Sequence, residues 1–276
     1  MDTKTARKTL SVRKLVRSLR TNGPLATVQL SSTAMQYRLS ESSAWRPVFL
    51  SIDKALVAIQ QRIDSRFDRK YGTDTSGVIA LSDLPIPNES VKFGHHYEPT
   101  SVKTFNQIMS NLGLNHADFE FVDFGSGKGR ILLLASRYPF RRIVGVEFAP
   151  DLNAVASKNV EIWDRRRHRA TEIEIVTADA ADFLIPDSPL VAFFFSPFKG
   201  ELMRRVVGNI TASWSTNPRP IYIIFYGGNR ETPELLRATG FGCKEIDLRV
   251  DCGALQRGYQ GLLLASPDLT APLSRG

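Results

Sequence analysis

Cysteine is nearly missing from this sequence: 276 residues hold two, Cys243 and Cys252. Neither sits in a CxxC pair and no histidine cluster lies near them. That excludes a disulfide framework and a structural zinc site, so no metal is expected, and it fits a reducing, cytoplasmic setting. Long apolar runs are missing as well. The longest, such as Ile221-Tyr-Ile-Ile-Phe225, are strand-sized, so no membrane span is expected. Charge is scarce where the net +8 suggests abundance. Residues 1–20 carry Lys4, Arg7, Lys8, Arg13, Lys14, Arg17 and Arg20 against Asp2 alone, a net +6, which leaves +2 for residues 21–276. The basic character therefore belongs to a tail, and reading the whole chain as a nucleic-acid binder from its charge is excluded. A hydrophobic content of 42% and a charged content of 23% are those of an ordinary globular chain, long enough for one large domain with an appendage.

What is present centres on Phe119-Glu-Phe-Val-Asp-Phe-Gly-Ser-Gly-Lys-Gly-Arg130. Phe119, Phe121, Val122 and Phe124 predict a short buried strand. Gly125, Gly127 and Gly129 follow at alternate positions and allow a tight turn with close backbone approach. The apolar run from Ile131 to Ala135 predicts a helix whose free amides face that turn. The dinucleotide fingerprint needs a glycine where Arg130 stands, and no Gly-Lys-Ser/Thr closes a P-loop. Two more strands end in acids: Arg142–Glu147, whose carboxylate falls where such sheets place a ribose-binding acid, and Ile173–Ala178, which precedes Asp179.

Through FVDFGSGKGR, VGVEFAPDL and VTADAADF, in that order, the chain resembles the class I S-adenosylmethionine-dependent methyltransferases over about residues 90–265. The resemblance implies a three-layer α/β/α, Rossmann-like sheet of seven strands whose last pair is antiparallel. It implies S-adenosyl-L-methionine as cofactor. The amides of Gly125, Ser126, Gly127 and Gly129 would cradle its amino-acid end, with the ammonium near Asp123. Glu147 would take the ribose hydroxyls, Asp179 the adenine amino group, and the Ala180 amide a ring nitrogen. Tyr97-Glu-Pro-Thr100 is similar to the segment that several methyltransferases, notably seven-strand protein-lysine enzymes, fold over the methionine end. Ser196-Pro197-Phe198 is similar to the catalytic strand-end motif of nitrogen methylators, with one proline where that motif has two.

The remaining chain divides into a basic tail and linker (1–47), a helical extension with a possible lid loop (48–89), the domain (90–266) and a short tail (267–276). Within residues 1–20, Val12, Leu15, Val16 and Leu19 repeat at helical spacing. Three readings stay open: a solvated extension or packed helix, a surface for an anionic partner such as RNA or lipid headgroups, and a targeting peptide. Residues 67–77 read either as a lid or as a simple turn. His95 and His96, adjacent in a loop, read as solvated. Arg165–Arg169 complements a helix C-terminus. Strand Leu190–Phe195 is apolar throughout and expected to be central. Cys243–Val250 and Gly258–Ala265 are expected to close the sheet.

The expected function is methyl transfer to a nitrogen acceptor, a protein lysine being one candidate. The alternatives are a small-molecule or RNA methyltransferase, and a module that binds the cofactor without chemistry.

Overall fold

The computed structural model describes residues 58, 61–80, 84, 92, 94–163, 172–227, 231–246, 260–267 and 269. Contacts divide the chain into two compact units, residues 1–58 and 59–276, and every element below belongs to the second. The basic tail, Arg165–Arg169, Arg230, Cys252 and most of the C-terminal tail lie outside the described residues.

A helix over residues 61–71 (α1) leads in. Then follow α2 (Val102–Ser110), β1 (Glu120–Phe124), α3 (Arg130–Ala135), β2 (Arg142–Glu147), α4 (Pro150–Ile162), β3 (Ile173–Thr177), β4 (Leu190–Phe195), α5 (Gly200–Thr216), β5 (Ile221–Gly227), α6 (Glu231–Arg237), β6 (Gly242–Ile246) and β7 (Gln260–Ala265). The sheet runs β3-β2-β1-β4-β5-β7-β6. All neighbours are parallel except β7, which is antiparallel to both β5 and β6. This is the sheet the sequence resemblance implies, with β4 between β1 and β5 as its unbroken apolar run requires. Order reverses beside β1, so the crevice at the carboxyl ends of β1 and β4 is where such sheets take ligands.

Two apolar layers cover the sheet. One face gathers Phe105, Ile108, Phe121, Leu133, Phe193 and Ile224; the other gathers Val122, Phe124, Val144, Phe194, Met203, Val206 and Ile223. Side chains alternate between faces along each strand, which is why Phe121 and Phe124 part company three residues apart. Phe67 of α1 belongs to the first layer, stacked 5.8 Å from Trp163 at the end of α4. Residues 61–79 are thus part of the same compact unit as the sheet.

Candidate active site

The glycine loop is held from above by neighbours that tolerate no side chain. Gly125 (φ +82) would drive a Cβ into Pro197, and Gly127 (φ +53) would drive one into the Tyr97 ring. Positive φ and missing Cβ are both needed here, since only glycine meets the two conditions together. Tyr97 is fixed in turn: its hydroxyl donates to the Thr75 carbonyl at 2.6 Å, and its backbone bridges Ile79. Two residues earlier the same extended segment meets the loop after β4. The His95 amide donates to the Pro197 carbonyl at 3.1 Å, and Gly94 bridges Phe198. Ser196, where that loop begins, has φ +40, an uncommon value for a residue with a side chain. Such strain, of order 1–3 kcal/mol, is typical of functional loops.

The acids at the strand ends sit in different environments. Asp123, on β1, is buried; burial first and the charge of Glu147 second push its carboxyl well above the usual carboxylate range. Glu147, at the end of β2, is also pushed up by burial, against the opposing pull of backbone amides. Its Oε2 accepts from the Gly127 amide and its Oε1 from the Ala149 amide, each at 3.0 Å. The Phe148 amide also contributes to holding the carboxylate. Asp179 caps its own turn, Oδ1 accepting from the Ala181 amide at 2.9 Å.

Residues 72–77 are latched onto the loop rather than hanging over the crevice. Asp68 accepts from the Thr73 and Thr75 hydroxyls and from the amides of Thr75 and Ser76. Arg130, 2% exposed, donates to Thr75 Oγ1 and to both a carboxylate oxygen and the carbonyl of Asp64. Lys128 reaches Asp74 at 2.9 Å and the Ser76 carbonyl at 3.1 Å. Asn159 on α4 ties the two together, donating to the carbonyls of Asp74 and Lys128. Sequence reading missed this buttress because its partners lie some fifty to eighty residues apart. The signal that could have found it was the unusual Lys128-Gly-Arg130, two cations entering an otherwise apolar helix.

One cleft collects most of the expected residues. Tyr97, Thr100, Asp123, Gly125, Ser126, Glu147, Asp179, Ala180, Ser196, Pro197 and Phe198 all line it, together with His95, Arg130 and Phe195. Gly127 and Gly129 stand behind its wall, under Tyr97 and against Ala156. The loop amides are also engaged elsewhere than expected. Those of Gly125 and Ser126 go to the Val146 carbonyl, that of Gly127 to Glu147, and that of Gly129 to the Ser126 carbonyl. These amides are thus engaged within the fold, and the Ser126 side chain packs against Gly145 of β2. Helix capping sharpens the picture: Ser101, not Thr100, caps α2, accepting from the Thr104 amide at 3.0 Å. Among the described residues, the buried side-chain atoms without a hydrogen-bond partner include Thr100 Oγ1, Ser126 Oγ and His95 Nε2, and all three residues line this cleft. His96, by contrast, is exposed and pairs with Glu98 at 3.5 Å.

No protein-family model and no curated protein sequence matches this chain. Solved structures do. Precorrin-6y C5,15-methyltransferase from Geobacter metallireducens is 14% identical, covering 67% of this chain and 93% of its own, with a TM-score of 0.46. The human methyltransferase 10 domain containing protein is 16% identical over 78% of this chain and 97% of its own, also at 0.46. An RNA methyltransferase from Salinibacter ruber, in complex with S-adenosyl-L-homocysteine, is 16% identical over 64% and 99%, at 0.41.

Proposed function

We propose that this chain is an S-adenosylmethionine-dependent methyltransferase whose acceptor is a nitrogen, a primary amine such as a protein lysine being the candidate class. The observation that carries the reading is the set of unpartnered polar atoms on one cleft. Buried groups without partners cost about 1–3 kcal/mol each and are rare unless something else supplies the bond. Thr100 and Ser126, whose hydroxyl oxygens are buried and unpartnered, line the same cleft as the buried Asp123 and Glu147. Two hydroxyl donors and a carboxylate suit an amino-acid end, and a second carboxylate suits a pair of ribose hydroxyls. Asp179 and the Ala180 amide, one strand further along the crevice, suit an adenine edge.

When bound, the cofactor supplies a methyl group on a positively charged sulfur, open to displacement in line with the carbon–sulfur bond. The protein's own contribution is placement and exclusion of water. Tyr97 covers the glycine loop, Pro197 closes on Gly125, and Phe198 packs edge-on against Phe194 at 6.1 Å. Ser196 and the carbonyls of its loop would orient the nucleophile's lone pair. An amine enters protonated, and burial favours the neutral form that can react.

The test is to incubate the protein with methyl-deuterated cofactor and a pool of lysine-bearing peptides, then locate the label by mass spectrometry. Label on lysine side chains supports the reading. Label found instead on RNA or on hydroxyl compounds would replace the acceptor class while leaving the donor assignment intact.

A further inference from the structure

His95 has no assigned part in the reading above, yet its placement gives it one. We propose that His95 flanks the group being transferred: its ring forms the wall between the glycine loop and the Ser196–Phe198 loop, and it must be uncharged for the methyl donor to bind. This inference rests on the methyltransferase reading.

Three observations carry it. His95, His96 and Tyr97 all line the cleft, between the Gly94–Phe198 and Ile79–Tyr97 bridges. Tyr97 ends that span over Gly127, while His95 ends it on Pro197, whose side chain in turn closes on Gly125. His95 therefore lies where the loop that would hold the amino-acid end meets the loop that would hold the acceptor. Its Nε2 is buried and unpartnered, on a residue that lines the cleft. Its backbone is pinned by the hydrogen bond from its amide to the Pro197 carbonyl and by the Gly94–Phe198 bridge.

The charges around it favour a neutral ring. Burial first, then Lys199 and the neighbouring His96, hold its pKa below the usual histidine value. A neutral imidazole leaves room for a sulfonium; an imidazolium would repel it. The other charged groups facing the cleft are Asp123, Glu147 and Asp179 at the strand ends, Arg130 on α3, and Glu98 on the same segment. Asp123 and Glu147 also bind protons more readily than ordinary carboxylates, and their protonation would weaken a cation's binding with the same sign. Only a comparison that removes His95 alone separates the two causes.

The experiment compares two ligands that differ by one methyl group and one positive charge. Dissociation constants of S-adenosylmethionine and S-adenosylhomocysteine are measured by calorimetry on the full chain from pH 5 to pH 8, for the wild type and for His95→Gln. The glutamine keeps a polar atom near the Nε2 position and cannot become cationic. In the wild type, the preference for the charged donor over the neutral product should fall by about tenfold as the pH drops. In His95→Gln that loss should shrink to threefold or less. A pH-independent ratio in the wild type overturns the inference. So does a ratio whose pH dependence is as steep in His95→Gln as in the wild type. Failure of the wild type to bind S-adenosylhomocysteine at all would instead sink the methyltransferase reading on which the inference stands.

Discussion

Glu147 shows how one side chain can serve the fold and the ligand together. Its two oxygens already hold the Gly127 and Ala149 amides, so alanine would strand two buried donors and confuse binding with folding. Glu147→Gln is the cleaner variant, since it keeps one acceptor oxygen. We expect it to fold and to weaken S-adenosylhomocysteine binding by about 1.5–3 kcal/mol, the scale of a charge-assisted bond. Unchanged affinity would place the ribose elsewhere. Asp123 makes a different prediction. Burial and Glu147 push its carboxyl well above the usual carboxylate range, and an ammonium arriving beside it favours the charged form. Binding near neutral pH should therefore release protons, seen as a calorimetric enthalpy that changes with the ionisation enthalpy of the buffer. In Asp123→Asn the release should be lost or much reduced. At this scale the sequence pattern located the acids that line the cleft, because a carboxylate at a strand end is visible in the pattern. It read His95 as solvated, whereas its Nε2 is buried and its amide bonds the Pro197 carbonyl, about a hundred residues away.

Among the elements, the link between α1 and α3 is the one that sequence periodicity could not reveal. Arg130 begins α3 and is nearly wholly buried, with Asp64 at 3.0 Å and Asp68 at 3.8 Å. Removing one partner of a buried ion pair costs about 3–5 kcal/mol because the other charge is left uncompensated. Asp64→Ala should therefore lower unfolding free energy by that order, measured by denaturant titration, and should weaken cofactor binding by loosening the glycine loop. A change below about 1 kcal/mol would show that α1 is only a cover. Asp68 adds a pH signature. Burial raises its pKa, but hydrogen bonds from Thr75, Ser76 and Thr73 outweigh that and hold it below its ordinary value. A lowered folded pKa means stabilisation that is full above about pH 4 and lost as pH falls through the folded value. The latch is thus intact throughout the neutral range. The strands, in contrast, were legible almost residue by residue. Arg142–Glu147 and Leu190–Phe195 coincide with their sequence expectations, because buried parallel strands are continuous apolar runs between turn residues. The segment over 67–77 was undecided between lid and turn; hydrogen bonds to Lys128, Arg130 and Asn159 make it a buttress.

For the whole molecule, the charge distribution and the sheet point in different directions. Six of the eight net positive charges lie in residues 1–20, whereas the cleft is lined by Asp123, Glu147 and Asp179. A truncated protein beginning at residue 21 should keep its affinity for S-adenosylhomocysteine, since every cleft residue lies from His95 onward; loss of folding on truncation would place the tail within the core. Among the described residues, no helix is long and apolar enough to cross a membrane. The sheet order β3-β2-β1-β4-β5-β7-β6, with β7 reversed, opens its crevice beside β1, and the three acids stand along that crevice. The account therefore stands on one claim, that this crevice binds the methyl donor. Calorimetric titration of the full chain with S-adenosylhomocysteine, and separately with NAD, tests it most directly. The expected result is one site with micromolar-range affinity for S-adenosylhomocysteine, about 8 kcal/mol, and far weaker binding of NAD. Tighter binding of NAD, or no binding of S-adenosylhomocysteine by the folded protein, would contradict it.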